Sequence, residues 1–197
     1  MYEIYKQYVK TLRRARNFDE IIENFNEKSY REIKVDPEIW NHVGFAYAIK
    51  EDWDNAVPAF QRAISLDPRY AEALSNLGEV YLIRAQKNRD QSLARLASES
   101  FKKAIESDPE HAPAYFSLGK IYRQMGDLDG AIYCWEKAVE FQPDFGLALF
   151  YLGEALLAKG EKAKALEIFL DLKDNFFQRF PEELKQRIEA YIEQCKK

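Results

Sequence analysis

From Pro37 onward, the apolar positions fall into two helical stripes per unit. In residues 37–70, Trp40, Val43, Gly44 and Tyr47 lie at i, i+3, i+4 and i+7, one face of a first helix. Ala56, Phe60 and Ala63 make the matching face of a second helix. The arrangement returns three times. Trp40, Leu74, Tyr115 and Leu149 are separated by 34, 41 and 34 residues, as are Gly44, Gly78, Gly119 and Gly153, and Tyr47, Tyr81, Tyr122 and Leu156. A second set runs 41, 34 and 34: Ala56, Ala97, Ala131 and Ala165, with Phe60, Phe101, Trp135 and Phe169 four residues on. Pro68, Pro109, Pro143 and Phe177 close the units with that second spacing. The two orders together place a seven-residue insertion between Tyr81 and Ala97.

A large residue, then Leu or Val with Gly, then Tyr, then Ala-x3-Phe and a closing proline at period 34 resembles the tetratricopeptide repeat. The resemblance covers 37–179, with a looser copy before it. It implies an all-α, right-handed superhelical solenoid of antiparallel helix pairs, finished by a C-terminal capping helix. Physical chemistry points the same way. Small residues at the contact positions let two helices approach, an aromatic fills the space beside them, and a single hairpin buries too little to stand alone. The expected divisions are a divergent hairpin at 1–36, repeats at 37–70, 71–111, 112–145 and 146–179, and the capping helix at 180–197.

The units differ in instructive ways. In 2–36, NFDEIIENF (17–25) imitates DWDNAVPAF (52–60), but Ile21 and Ile22 replace the small residue. In 37–70, taking Asp54 as N-cap puts Pro58 in the first turn of the second helix, where proline is tolerated. The insertion in 71–111 amounts to about two helical turns. Ala85 and Leu93 extend the two stripes, so a longer hairpin with its turn near Lys87–Asp90 is expected, either as neutral elaboration or as a contact surface. In 146–179 the second helix should run to about Phe177 before Phe180-Pro181 breaks it. Residues 182–195 then make an amphipathic helix, with Leu184, Ile188, Tyr191, Ile192 and Cys195 on one face and Arg187 on the polar one.

Composition narrows the function classes. The 197 residues carry 29 Lys and Arg against 33 Asp and Glu, a net charge of −4, so no global field draws the chain to nucleic acid or an anionic membrane. No signal-peptide pattern or long apolar run is present, and two cysteines without C-x-x-C suit a reducing compartment, so a cytoplasmic protein is expected. No phosphate-binding glycine loop occurs, and His42 and His111 have no partners at metal-ligand spacing. Cys134 reads as a structural thiol. No catalysis, cofactor or metal is expected.

The resemblance implies that partners bind on the first-helix face lining the concave side of the array. Counted from Pro37, Ala71, Ala112 and Gly146, positions 2, 5, 9, 12 and 13 oppose the inward stripe. The candidate groove residues are Asn41, Phe45 and Ile49, then Asn76, Glu79 and Ile83, then Phe116, Lys120 and Arg123, then Phe150 and Glu154. Leu82 belongs to the same face. Lys6, Lys10 and Arg13 join them from the divergent hairpin. Contiguous apolar surface rimmed by charge marks interaction sites, with packing between neighbouring helices as the alternative for some of these residues. The face suits a short apolar or amphipathic segment of a protein partner. Asn76 offers an amide to such a segment's backbone. A subgroup of the family holds chaperone tails through a Lys/Asn/Asn/Lys/Arg clamp. Here Asn41, Phe45, Asn76, Pro113 and Ser117 stand at those positions, and only Asn76 agrees, which disfavours that partner. A homo-oligomer, with the groove or ends engaged by another copy, is the alternative function.

Overall fold

The computed structural model describes residue 13, residues 16–24 and residues 36–196. Lys6 and Lys10 lie outside the described residues. Among those described, every regular element is helical: α1 Phe18–Asn24, α2 Pro37–Ile49, α3 Trp53–Leu66, α4 Ala71–Asn88, α5 Gln91–Ser107, α6 Ala112–Gln124, α7 Leu128–Phe141, α8 Gly146–Ala158, α9 Lys162–Asp171 and α10 Glu182–Lys196. The chain divides into two compact units, 1–109 and 110–197.

In both units the hairpin is built on one steric device. A Cβ added at Gly44 would stand 2.8 Å from Phe60, at Gly78 2.8 Å from Phe101, at Gly119 2.6 Å from Trp135 and at Gly153 2.9 Å from Phe169. Each phased glycine is therefore the seat of the phased aromatic from the second helix of its own hairpin. All four aromatics are fully buried. The two periods found in the sequence are two halves of one contact.

The first unit packs α1 on α2, α2 on α3, α3 on α4 and α4 on α5, with α4 also meeting α2. Ile21 of α1 is buried in the cluster with Ile39, Trp40 and Val43, and Lys50 pairs with Asp19. The second unit packs α6 on α7, α7 on α8, α8 on α9, and α10 on both α9 and α8. Ile188, Ile192 and Cys195 sink into the cluster around Phe150, Phe169 and Leu172.

Aspartate starts α3, α5 and α7, while Glu161 stands before α9 without a side-chain cap bond. Asp52 accepts from the Asn55 amide, Asp90 from Ser92 and Leu93, and Asp127 from Gly130, as a cap should. This corrects the expectation for Pro58. The cap is Asp52 rather than Asp54, because the aspartate directly after the turn reaches the free amides first. Pro58 thus sits in the second turn and removes one ladder bond. The turns between the paired helices use left-handed backbone at Glu51 (φ 58), Arg89 (φ 54), Gly126 (φ 80) and Gly160 (φ 88). In the hairpin of α4 and α5 that residue, Arg89, caps the longest of the described helices.

The last unit departs from the expected continuous helix. α9 ends at Asp171, a π-helical turn spans Leu172–Phe176, and a 3-10 turn follows at Phe177–Arg179. The extra residue per turn lets Leu172 stay fully buried while Phe180 and Phe176 close over Gly146, where an added Cβ would meet Phe180 at 2.8 Å. His111 occupies the N-cap of α6 without a side-chain cap bond, and Cys134 is buried at 2 % exposure.

Candidate functional site: the first-helix faces

Position 5 of the repeat is not on an open face. Asn41 (0 % exposed), Ser75 and Phe150 (1 %) are buried, and Phe116 is half-buried. The helical wheel treats each first helix as having one buried stripe, opposite its hairpin partner. A first helix also meets the next helix of its own kind, and that contact widens the buried arc to include position 5. Thus Asn76 Nδ2 on α4 donates to Asn41 Oδ1 at 2.8 Å. Phe116 packs on Tyr151 of α8 (5.7 Å) and on Phe145 (4.7 Å). Phe150 lies 6.2 Å from Tyr191 of α10. Phe150 as an exposed groove residue is therefore corrected: the chain's own C-terminal helix covers it. Leu82, expected on the same face, is 1 % exposed.

In the first unit, Arg13, Asn41, Phe45 and Asn76 are brought together. Arg13 stands 4.3 Å over the Phe45 ring, donates to Glu72 Oε1 at 3.0 Å and lies 3.0 Å from His42 Nδ1. Asn41 Nδ2 donates to the Tyr70 hydroxyl at 3.4 Å, which in turn donates to Glu72 Oε2. Burial, with Glu72 and Glu38 nearby, pushes the Tyr70 phenol well above its ordinary range. The Asn76 amide, expected to be available to a peptide backbone, has one N–H already committed to Asn41. Ile49 stands apart at 52 % exposure, while Glu79 and Ile83 are half-buried.

In the second unit, Phe116, Lys120, Arg123, Phe150 and Glu154 converge on one cluster, which α10 completes. Glu154 accepts from Arg123 Nη1 at 3.3 Å, from the Tyr191 hydroxyl at 2.6 Å and from Arg187 Nη2. Its side chain is 14 % exposed, against 42 % for Arg123 and 51 % for Arg187. Each cation rests on a ring: Lys120 on Phe116 at 5.2 Å, Arg123 on Tyr151 at 4.5 Å and Arg187 on Phe150 at 4.9 Å. Such contacts fix a cation in place while leaving donors directed outward. Burial, and then the bond to Glu154, raise the Tyr191 phenol. Arg187, placed by its sequence on the polar face of α10, instead turns to Glu154. One signal marks this edge of the helix: Arg187 precedes Tyr191 by four residues, and the two side chains converge on one carboxylate.

Among the described residues no cluster of three or more His, Cys, Asp or Glu is placed to hold a metal. No described helix is long and apolar enough to cross a membrane.

Comparison with known proteins extends the picture. A "TPR repeat" family model matches residues 44–82 and 119–160. Two "Tetratricopeptide repeat" models match 100–133 and 147–176. A TPR repeat-containing protein of Methanocaldococcus jannaschii, MJ0941, is 51% identical over 47 residues, which is 24% of this chain and 14% of that protein. The structure of TTC0263 from Thermus thermophilus aligns with a TM-score of 0.74 at 19% identity, over 98% of this chain and 99% of that one. MamA from Desulfovibrio magneticus RS-1 aligns with a TM-score of 0.67 at 26% identity, over 87% and 93%. YrrB, described as a TPR protein with an unusual peptide-binding site, aligns with a TM-score of 0.62 at 21% identity, over 84% and 82%. Phased glycines seated under phased aromatics, and family models that together span more than half of the sequence, lead to one conclusion: the chain belongs to the tetratricopeptide repeat family.

Proposed function

We propose that the chain is a non-catalytic protein-interaction scaffold that takes a segment of a partner protein on the first-helix faces of its hairpins. The observation that carries this reading is the seat of α10. α10 packs chiefly on α9, with Ile188 and Ile192 buried, and its edge lies on the first-helix face of α8, where Arg187 rests over Phe150 and Arg187 and Tyr191 both donate to Glu154. That face is thus chemically suited to a helix or extended segment carrying apolar and cationic side chains. The equivalent surface in the first unit presents the same kinds of group, the apolar Ile49 and Ile83 with the acidic Glu79, whereas that of α6 is cationic at Lys120 and Arg123. The segment's apolar residues would gain by burial, and its charged residues would set register and specificity.

The test is selection from a displayed random-peptide library, repeated with two folded variants. Ile49→Arg with Ile83→Arg alters the first unit, and Lys120→Glu with Arg123→Glu alters the second. Enriched peptides whose binding is lost in either variant support the reading. Failure to enrich any sequence, or peptides indifferent to both variants, sinks it.

A further inference from the structure

We infer that the turn end of the long hairpin of α4 and α5 is a contact site for an anionic lipid surface, with Arg84, Arg89 and Arg95 on the headgroups and Leu96 entering the layer beneath them. This goes beyond the scaffold reading, since it concerns a different surface and a lipid rather than a protein segment.

The inserted residues lengthen α4 and α5 to 18 and 17 residues, against 13 and 14 for α2 and α3. They also change the charge. Between Tyr81 and Ala97 stand four basic residues and one acid, in a chain whose net charge is −4. Lys87 is engaged within the fold: its Nζ lies 2.6 Å from Glu51, at the turn of the preceding hairpin, and 5.5 Å over the Trp53 ring. Asp90 caps α5, accepting from the Ser92 and Leu93 amides. Arg84, Arg89 and Arg95 differ, because among the described residues none of the three has an ion-pair or hydrogen-bond partner for its side chain. With Lys87 neutralised by Glu51, three arginines less Asp90 leave the hairpin end at +2. Arg84 stands five residues before Arg89, and Arg95 five after Asp90, so each starts about 7.5 Å from the turn along its helix. That is within the Debye length of about 8 Å at physiological salt, and a planar charged surface at the turn acts on all three. Arg89 and Arg95 are exposed and Arg84 is half-buried.

Two further observations point outward from the fold. Arg89 holds left-handed backbone, φ 54, where the hairpin turns of the second unit use Gly126 and Gly160; a side chain there costs stability that glycine would not. Glu51, the residue of this kind in the first hairpin, is held by Lys87, whereas nothing in the fold engages the Arg89 guanidinium. Leu96 decides the class of partner. It is 42 % exposed beside Arg95, with half-buried Leu93 one turn nearer the tip. Guanidiniums bind the phosphates of lipids and of nucleic acids alike, but only a bilayer offers apolar depth for a leucine next to them.

The test is a vesicle flotation titration of the full chain, with vesicles of phosphatidylglycerol mixed into phosphatidylcholine against vesicles of phosphatidylcholine alone. The expected result is binding to the anionic vesicles that weakens as salt rises, and none to the neutral ones. Each arginine changed singly to glutamine should weaken binding by about fivefold, the worth of one basic side chain at an anionic surface, and all three together by about a hundredfold. Arg89→Gly removes a charge while suiting the turn, so its effect does not depend on a damaged fold. Leu96→Ser should weaken binding and leave its salt dependence unchanged. Lys102→Gln with Lys103→Gln, two exposed cations two turns further along α5, should bind as the wild type does. Equal binding to neutral and anionic vesicles, an Arg89→Gly protein that binds as tightly as wild type, or equal weakening by the Lys102 and Lys103 pair overturns the inference. So does a duplex oligonucleotide that displaces the vesicles and binds Leu96→Ser undiminished, which would make this a nucleic-acid site. The peptide selection above turns on other residues, so either reading can fall alone.

Discussion

Gly119→Ala tests the steric logic of the whole repeat. On an open helix the change would stabilise, since alanine exceeds glycine by about 1 kcal/mol in helix propensity. Here the new Cβ would stand 2.6 Å from Trp135 Nε1 and 2.9 Å from two further indole atoms. The indole cannot swing aside cheaply. It is fully buried, its N–H donates to the Phe116 carbonyl at 3.1 Å, and Tyr151 stacks on it at 5.5 Å. Overpacking of this kind costs about 1–3 kcal/mol, and loss of the buried hydrogen bond adds about 1 kcal/mol. Set against the propensity gain, the expected net loss is about 1–3 kcal/mol. Urea denaturation followed by far-ultraviolet circular dichroism measures it, and tryptophan emission reports the displaced indole. A double variant, Gly119→Ala with Trp135→Phe, should recover part of the loss relative to the sum of the single changes, because the smaller ring relieves the clash. A Gly119→Ala protein as stable as wild type, or more so, would show that the aromatic does not need the glycine, and the account of the period would fail.

Three further outcomes follow from the same structure. Pro58→Ala should raise stability by about 1–3 kcal/mol in the same urea assay. The proline lies in the second turn of α3, on an exposed surface, where restoring one helical bond and removing a steric conflict has no packing cost. Phe150→Ala should lose about 3–5 kcal/mol, the range for emptying a buried aromatic site, and should loosen α10 first, read as faster amide exchange over 182–196. A loss below about 1 kcal/mol would return Phe150 to an open face. Tyr191 should ionise above the ordinary tyrosine value of 10.0, because burial and its bond to Glu154 favour the protonated phenol. Its contribution to stability is therefore complete below that pH and is lost as pH rises through the higher folded value. Spectrophotometric titration in the near ultraviolet should show one fewer late-ionising phenol in Tyr191→Phe than in the wild type, where Tyr47, Tyr70 and Tyr115 are raised as well.

The sequence was sufficient for the hairpin and the repeat. Side chains that meet within one hairpin are close in sequence, so Gly44 and Phe60, or Gly119 and Trp135, leave a fixed period that a single chain displays four times. Turn chemistry was legible for the same reason, although the N-cap was placed two residues late and Pro58 with it. Contacts between successive first helices were not legible, because they depend on how hairpins stack and leave no period of their own. Phe116 and Phe150 therefore read as exposed. In the folded chain they are held in the junctions with Tyr151 and with Tyr191, because a first helix has two neighbours and a wheel drawn from one stripe shows only the first. The cluster around Glu154 depended wholly on tertiary structure. Arg123 and Arg187 are 64 residues apart in the chain and share Glu154 only because the backbone turns after α9, through a π-helical turn and Pro181, and brings α10 back onto α9 with one edge against α8.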